Sequence, residues 1–298
     1  MSAVSDFSKT HDYRCWCGEQ RAKLFCSQMF GRRHFVVLRC LACRSHRLLP
    51  RALASEASAE TLYNEYDAPW WSEGGNPQAV DKMLKRLAEV RVSFVAESKV
   101  LDVGCGDGQL LEAICTKFGC AGKGIDVDRR RIDWAKKRSK HATFECELFD
   151  AAKIDGKYDI LLCSAVLEHV VDPINFLKQI NSALVEGGSL FLLTPNARSL
   201  NYRLLRSWWR ELLSIGEHIY LFTPESLESC AGRAGFRLVD IASNFDYASF
   251  RLQLTNVRSF LLSGWGIYRE LIKRASEQFT TRTTRDILYA HFRKLGPA

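Results

Sequence analysis

The central part of the chain alternates short apolar segments with stretches of helical periodicity. Six apolar, β-rich segments are candidate strands: Lys99–Val103, Ala121–Asp126, Thr143–Glu147, Tyr158–Cys163, Gly188–Thr194 and Phe236–Ala242. In residues 78–96, apolar side chains recur every three or four positions, which predicts an amphipathic helix. Strands that alternate with helices form βαβ units, and the strands of such units are parallel. The pattern therefore predicts an α/β fold with a doubly wound, mostly parallel sheet.

The two flanks of this region have a different pattern. Residues 12–50 are short strands and turns around a group of cysteines, and residues 246–298 are expected to form a helical C-terminal extension. We assign residues 1–55 to a small N-terminal module and 56–98 to a linker with a lead-in helix. Residues 99–245 then form the α/β domain.

Composition and hydropathy narrow the class of protein. The 298 residues are 47% hydrophobic and 26% charged, with 7 prolines, which excludes a disordered or collagen-like chain. The chain contains no run of 18 apolar residues, so a transmembrane helix is not predicted. Met1–Thr10 is too polar for a secretory signal peptide. We therefore expect a soluble, cytoplasmic protein.

The net charge of +8 is concentrated at the two ends of the chain. Residues 1–60 and residues 246–298 each carry a net charge of +5, whereas residues 61–245 carry −2. Basic ends favour acidic partners such as phosphate, nucleic acid or anionic lipid, although such charges are also found simply solvated. RNA binding and peripheral membrane contact therefore stay open.

Five of the eleven cysteines lie within the first 43 residues. Cys40 and Cys43 form a C-x2-C knuckle, and Cys15 and Cys17 form a tighter C-x-C pair. Clustered cysteines in a chain without a signal peptide indicate metal binding rather than disulfides. Four thiolates from two turns suit a tetrahedral, structural Zn²⁺. Because C-x-C departs from the usual spacing, Cys26 could replace one member of that pair, and free buried cysteines are the alternative.

A glycine-rich loop follows the first strand of the α/β region. Residues 100–108 are V-L-D-V-G-C-G-D-G, so an apolar strand leads into G-x-G-x-G and then into a predicted helix. Glycines allow a ligand to approach the backbone, and the helix N-terminus supplies free N–H groups. A dinucleotide fold would show G-x-G-x-x-G instead. Asp102, just before the loop, suits a cationic ligand better than a pyrophosphate. Asp126, at the end of the next strand, can accept both hydroxyls of a ribose, unless these acids merely cap helices.

Residues 99–242 resemble the class I S-adenosylmethionine-dependent methyltransferases of the small-molecule type, related to ubiquinone-biosynthesis methyltransferases. Five motifs in family order carry the resemblance: V-L-D-V-G-C-G-D-G at 100–108, G-I-D-V-D at 124–128, Y-D-I-L-L-C-S-A-V-L-E-H-V-V-D-P at 158–173, E-G-G-S-L-F-L-L-T-P-N at 186–196, and E-H-I-Y-L-F-T-P-E-S-L with A-G-F at 217–236. The resemblance implies a seven-stranded Rossmann-like sheet. The cysteine pairs, followed by L-L-P at 48–50, are also similar to the zinc-binding leader of some nucleotide-sugar and polysaccharide-related methyltransferases.

The resemblance implies a site for S-adenosylmethionine on these motifs. Gly104, Cys105 and Gly106 would line the methionine part of the cofactor, with Asp102 near its amino group. Asp126 would bind the ribose.

The remaining cofactor contacts that the resemblance implies come from the ends of the third and fourth strands. Glu147 and Leu148 occupy the usual position at the adenine edge, although Glu147 replaces the commoner Asp. Ser164 and Ala165 would border the sulfonium.

Two histidines follow the strand ends at which acceptors bind. His169 comes after the fourth strand and His218 after the fifth, and either could accept a hydroxyl proton near neutral pH. Glu168 and His169 could instead form a buried pair that fixes the turn, so we favour His218 as the base. Residues 198–215 place leucines and tryptophans on one helical face and arginines on the other. This insertion could cap the acceptor pocket, lie on an anionic membrane surface or pack as a helix.

Together these features predict an enzyme that transfers a methyl group from S-adenosylmethionine to oxygen, with carbon as the second choice, of a small-molecule or glycan-type acceptor such as a nucleotide sugar. The N-P-P-[YFW] sequence typical of amino methylation of bases is absent, since S-A-V-L occupies that site. Two alternatives stay open. One is an RNA methyltransferase that grips RNA with its zinc-binding leader, and the other is a non-catalytic scaffold that binds the cofactor.

Overall fold

The computed structural model describes residues 13–30, 33–50, 77–205, 218–244 and 285–296. The strands in chain order are β1 (Ala22–Phe30), β2 (Arg33–Cys40), β3 (His46–Pro50), β4 (Lys99–Val103), β5 (Ala121–Asp126), β6 (Ala142–Cys146), β7 (Tyr158–Ser164), β8 (Leu184–Pro195), β9 (Tyr220–Leu221), β10 (Phe236–Asn244) and β11 (Ile287–Lys294). The helices are α1 (Pro77–Glu89), α2 (Gln109–Phe118), α3 (Arg129–Arg138), α4 (Pro173–Ala183), α5 (Leu200–Leu205) and α6 (Pro224–Arg233). Short 3-10 turns occupy Ala151–Lys153 and Leu167–His169. Across these ranges, no helix has the length and apolar character needed to cross a membrane.

Seven strands form one sheet in the order β10-β11-β8-β7-β4-β5-β6. The five strands from β8 to β6 pair in parallel, and β11 pairs antiparallel with both β8 and β10. The predicted α/β fold with a mostly parallel, Rossmann-like sheet is therefore confirmed. The six strands predicted in this region are all present, with ends that move by a few residues.

The core lies on both faces of the sheet because neighbouring residues of each strand point to opposite sides. In β7, Ile160 packs in a cluster with α2 and α3, whereas Leu161 packs in a second cluster with α4 and α6. Helices that cover both faces bury the parallel strands, which explains why those strands are almost continuously apolar.

The C-terminal segment corrects one expectation. A helical extension was expected over residues 246–298, yet Ile287–Lys294 form β11, a central strand of the sheet. Six consecutive residues of β11, from Ile287 to Phe292, are buried, because β8 and β10 flank the strand and helices cover its faces. The apolar run within it, Ile287–Ala290, is short and compatible with a buried strand. Residues 245–284 lie outside the described ranges.

The N-terminal residues form a separate antiparallel sheet in the order β1-β2-β3-β9. We call residues 13–50 the cysteine module. Its strands β1 to β3 come from that segment, but β9 comes from the α/β domain, so the two parts share a sheet. Residues 51–76, which include the first part of the linker, lie outside the described residues, and so does the part of the predicted insertion beyond α5.

Candidate active site

The glycine loop is a tight turn between β4 and α2. Gly104, Gly106 and Gly108 all have positive φ angles, of 76°, 56° and 72°, which side-chain-bearing residues rarely adopt. A Cβ atom on Gly104 would lie 2.3 Å from the Cγ2 of Val166. The loop therefore packs directly against the turn after β7, and a side chain at Gly104 would not fit.

Asp126 joins the end of β5 to this loop. One carboxylate oxygen accepts the N–H of Gly106 at 2.8 Å, and the other accepts the N–H of Asp128 at 2.9 Å. Each oxygen keeps a second lone pair, since a carboxylate has about four acceptor positions. The side chain is half-buried at the mouth of the loop, where it can accept further hydroxyl donors.

Asp102 lies in β4 with its side chain inside the protein. It is only 3% exposed, and burial together with the nearby charge of Asp126 raises its pKa to about 7. A buried carboxylate favours its neutral form until a positive charge comes close to it. The site therefore contains an acid that a cationic ligand would ionise.

Cys105 is placed differently from its two glycine neighbours. Its side chain is buried, and a Cβ on Gly124 would lie 2.8 Å from its sulfur. Burial also raises the pKa of the Cys105 thiol well above its usual value. The backbone of this residue, rather than its thiol, is therefore the part that can face a ligand.

The other residues predicted from the resemblance lie at the same edge of the sheet. The N–H of Glu147 donates to the carbonyl of Asp126 at 3.1 Å, which brings the end of β6 beside the loop. Leu148 is 70% exposed at this point. Ser164 ends β7, and Ala165 follows it with an unusual φ of 55° and an N–H that donates to Leu193 at 2.9 Å. All of these positions follow the carboxyl ends of parallel strands, where ligands bind in open α/β sheets.

The two candidate histidines lie next to each other. His169 belongs to the 3-10 turn after β7 and His218 comes just before β9, and their ring centroids are 4.8 Å apart. Glu168 is almost fully buried and accepts the Thr194 hydroxyl at 3.0 Å. The side-chain ligand atoms of the two histidines and Glu168 all lie within 4.8 Å of one another. This arrangement can hold or move a proton.

The role of Asp286, in the C-terminal segment, was not predicted from the sequence. Asp286, just before β11, accepts hydrogen bonds from the Ser199 hydroxyl and, at 2.9 Å, from the Asn201 amide. Its carbonyl accepts the N–H of Asn196 at 2.8 Å. These bonds fix the start of the insertion and join residues more than 80 positions apart, a separation at which no local motif could indicate the contact.

Four cysteine sulfurs converge in the cysteine module. Cys15 and Cys43 have sulfurs 3.5 Å apart, Cys17 and Cys40 have sulfurs 3.6 Å apart, and all four lie within 4.8 Å of one another. Tetrahedral Zn²⁺ with bonds of about 2.3 Å needs sulfurs about 3.8 Å apart, so the group fits this ion. Within the described part of the chain, Cys26 packs instead with the apolar cluster around Leu48 and Tyr202.

Comparison with known proteins places most of the chain in one family. Residues 73–241 match the family model described as "Methyltransferase domain". A ubiquinone biosynthesis O-methyltransferase of Coxiella burnetii is 30% identical over 195 residues, which cover 60% of this chain and 81% of the relative. The enzyme of the same name from Xanthomonas campestris pv. campestris is 32% identical over 190 residues, covering 58% of this chain and 77% of the relative.

A solved structure has the same fold at low sequence identity. The [4+2]-cyclase SpnF is 18% identical to this chain and superposes on it with a TM-score of 0.52. The superposition covers 76% of this chain and 86% of SpnF. At this identity the likeness shows the fold alone.

Proposed function

Because the chain belongs to the class I S-adenosylmethionine-dependent methyltransferases, we propose that it methylates a hydroxyl oxygen of a small-molecule acceptor. The observation that carries this proposal is the pair formed by His169 and His218, with ring centroids 4.8 Å apart beside the turn that follows β7. The two relatives named as O-methyltransferases support oxygen as the atom that receives the methyl group.

The residues of the glycine loop fit the cofactor. Backbone groups of Gly104, Cys105 and Gly106 would contact its methionine part, because the two glycines carry no side chain and the Cys105 side chain is buried. Asp126, which has lone pairs left beyond its two backbone bonds, would accept the ribose hydroxyls. Asp102 would lie near the positively charged amino group of the methionine part. When bound, S-adenosylmethionine supplies the methyl group on a positively charged sulfur.

The remaining contacts would close the site at its two ends. Glu147 and the exposed Leu148 would lie along the adenine, since both follow β6 beside Asp126. Ser164 and Ala165 would lie beside the sulfur, because Ser164 is half-buried at the end of β7 and Ala165 after it is exposed.

On the acceptor side, we assign the base to His218. Its side chain is buried, so water around it is restricted, and a neutral imidazole there can take the proton of an acceptor hydroxyl. His169 would orient the His218 ring. Its own imidazole would be a second group that can carry the proton. Glu168, which accepts the Thr194 hydroxyl, would keep the turn after β7 in place.

We also propose that Cys15, Cys17, Cys40 and Cys43 hold a structural zinc ion. Four thiolates leave no open coordination position, so the metal would support the fold of the cysteine module rather than the chemistry. The resemblance of this module to the leader of nucleotide-sugar methyltransferases makes a glycan-type acceptor the second class to test.

The proposal is tested by the formation of S-adenosylhomocysteine on three sets of acceptors: small phenols, nucleotide sugars and RNA. General-base assistance is worth about 10²–10⁴-fold, so His218→Ala should lower turnover on the accepted substrate by that range while cofactor affinity stays the same. His141→Ala, a change at an exposed histidine that contacts Glu112 on α2, is the matched control. Turnover on RNA alone would contradict the small-molecule assignment, and normal turnover in His218→Ala would contradict the base.

A further inference from the structure

The cysteine module is attached to the acceptor side of the methyltransferase domain through a shared sheet. Strand β3 pairs with β9 in antiparallel register, with Arg47 opposite Tyr220. The N–H of Leu48 also donates to the carbonyl of Ile219 at 2.9 Å. These backbone bonds hold the residues that directly follow His218.

A second contact joins the turn at Cys15–Cys17 to the domain. The Trp16 ring lies 6.3 Å from the ring of Phe222, just after β9, and its indole N–H donates to Ser45 at 3.0 Å. Arg233, at the end of α6, donates to the carbonyl of Cys17 at 3.1 Å and lies 5.6 Å from the centre of the Trp16 ring. We call Trp16 and Arg233 the knuckle clamp.

A third contact joins the module to the start of the insertion. The His46 ring lies 4.7 Å from the Phe25 ring and 5.2 Å from the Tyr202 ring, and Tyr202 belongs to α5. His46 is buried between them, and Leu48 packs in the same cluster as Tyr202 and Leu221. The module therefore supports the two segments that flank the acceptor side.

The cofactor side is held in a different way. The N–H groups of Gly104 and Cys105 donate to Ile125 within the large sheet, and Gly106 donates to Asp126. Over the described residues, the hydrogen bonds between the cysteine module and the domain fall on residues 219–221 and on Arg233. A disturbance of the module should therefore reach the acceptor side and leave the glycine loop in place.

We propose that the cysteine module is a fixed wall of the acceptor site, and that Arg233 is a positioning residue that holds His218 through the knuckle clamp. The proposal rests on the proposed function of His218 as base. Arg233 holds the Trp16 ring and the Cys17 carbonyl in place. Through Trp16, the module is held against Phe222 and β9. Strand β9 in turn positions His218, which comes just before it. The module then acts within its own chain as part of the enzyme, rather than as a separate RNA-binding arm.

The test compares Arg233→Ala with a control in the full-length protein. Loss of the clamp should speed hydrogen exchange of the amides at 219–221 by about tenfold, since it removes a hydrogen bond and a ring contact. Turnover should fall by about tenfold or more because the base is misplaced. Affinity for S-adenosylmethionine should stay within about twofold, as expected for distant, independent sites. Arg233→Lys, which keeps the charge over Trp16, should recover part of both effects.

Arg21→Ala is the matched control, because Arg21 is an arginine of the cysteine module whose side chain is 72% exposed and pairs with Glu19 of the same module. It should change none of the three quantities. Unchanged exchange at 219–221 in Arg233→Ala would overturn the proposal, and so would normal turnover or an equal loss of cofactor affinity. The exchange and affinity measurements need no acceptor. If no acceptor is turned over by the wild type, the proposed function fails, whereas the exchange result still decides whether the clamp holds β9.

Discussion

Replacement of Asp102 by Asn should make the ligand-free protein more stable at pH 8 while weakening cofactor binding. Asp102 is buried in β4, and burial and Asp126 raise its pKa from 3.8 to about 7. Between these two pH values, the folded protein keeps a proton that the unfolded chain releases. The free energy of unfolding therefore falls as the pH rises from about 4 to about 7. Above pH 7, the folded protein bears the full cost of ionising the buried Asp102.

The size of this effect follows from the same pKa. Each pH unit corresponds to about 1.4 kcal/mol, so a pKa raised from 3.8 to about 7 costs at most about 4 kcal/mol above pH 7. At pH 5 only about 1.6 kcal/mol of that cost is present. Asn cannot ionise, so the advantage of Asp102→Asn over the wild type should grow by about 2–3 kcal/mol between pH 5 and pH 8.

The assay is urea unfolding of both proteins without ligand at pH 5 and pH 8. Asp133→Asn, a change at an exposed carboxylate on α3, controls for the loss of one charge. Calorimetry at pH 8 should show weaker binding of S-adenosylmethionine to Asp102→Asn, by about tenfold or more, because a charge-assisted interaction is lost. A difference in stability that does not change with pH, or a variant that is less stable at pH 8, would refute the role of Asp102 as a buried acid.

Two further predictions concern the ribose and metal contacts. Asp126→Ala should weaken binding of S-adenosylmethionine by about 1.5–3 kcal/mol for each charged bond lost, and calorimetry that finds unchanged affinity would reject the ribose assignment. Elemental analysis should find one zinc ion per chain, and the double change Cys40→Ser, Cys43→Ser should remove it because two of four thiolates are lost. Stoichiometric zinc in that double variant would refute the ligand set.

The sequence predicts well the parts of the molecule that local patterns determine. The strand β4, the glycine loop and Asp126 lie close together in the sequence or at consecutive strand ends, so alternation and spacing are enough to place them. The clustering of the cysteines predicts a group of four thiolates but leaves Cys26 as an alternative ligand, and the structure brings together the sulfurs of Cys15, Cys17, Cys40 and Cys43.

Contacts between distant segments were not predictable in the same way. Residues 287–294 form a central strand because β8 and β10 provide partners on both sides, a fact that no local pattern contains. The pairing of β3 with β9 joins residues about 170 positions apart, and Asp286 reaches the start of the insertion from the other end of the chain. In each case tertiary contacts decide the structure, and the local sequence is compatible with more than one outcome.

Calorimetric titration of the protein with S-adenosylmethionine shows which ligand binds at the glycine loop. We expect saturable binding of one molecule per chain and no comparable binding of NAD⁺, since the loop has the shorter G-x-G-x-G spacing with Asp102 before it. Absence of binding to S-adenosylmethionine, or preferential binding of the dinucleotide, would show that the glycine loop is not a site for this cofactor.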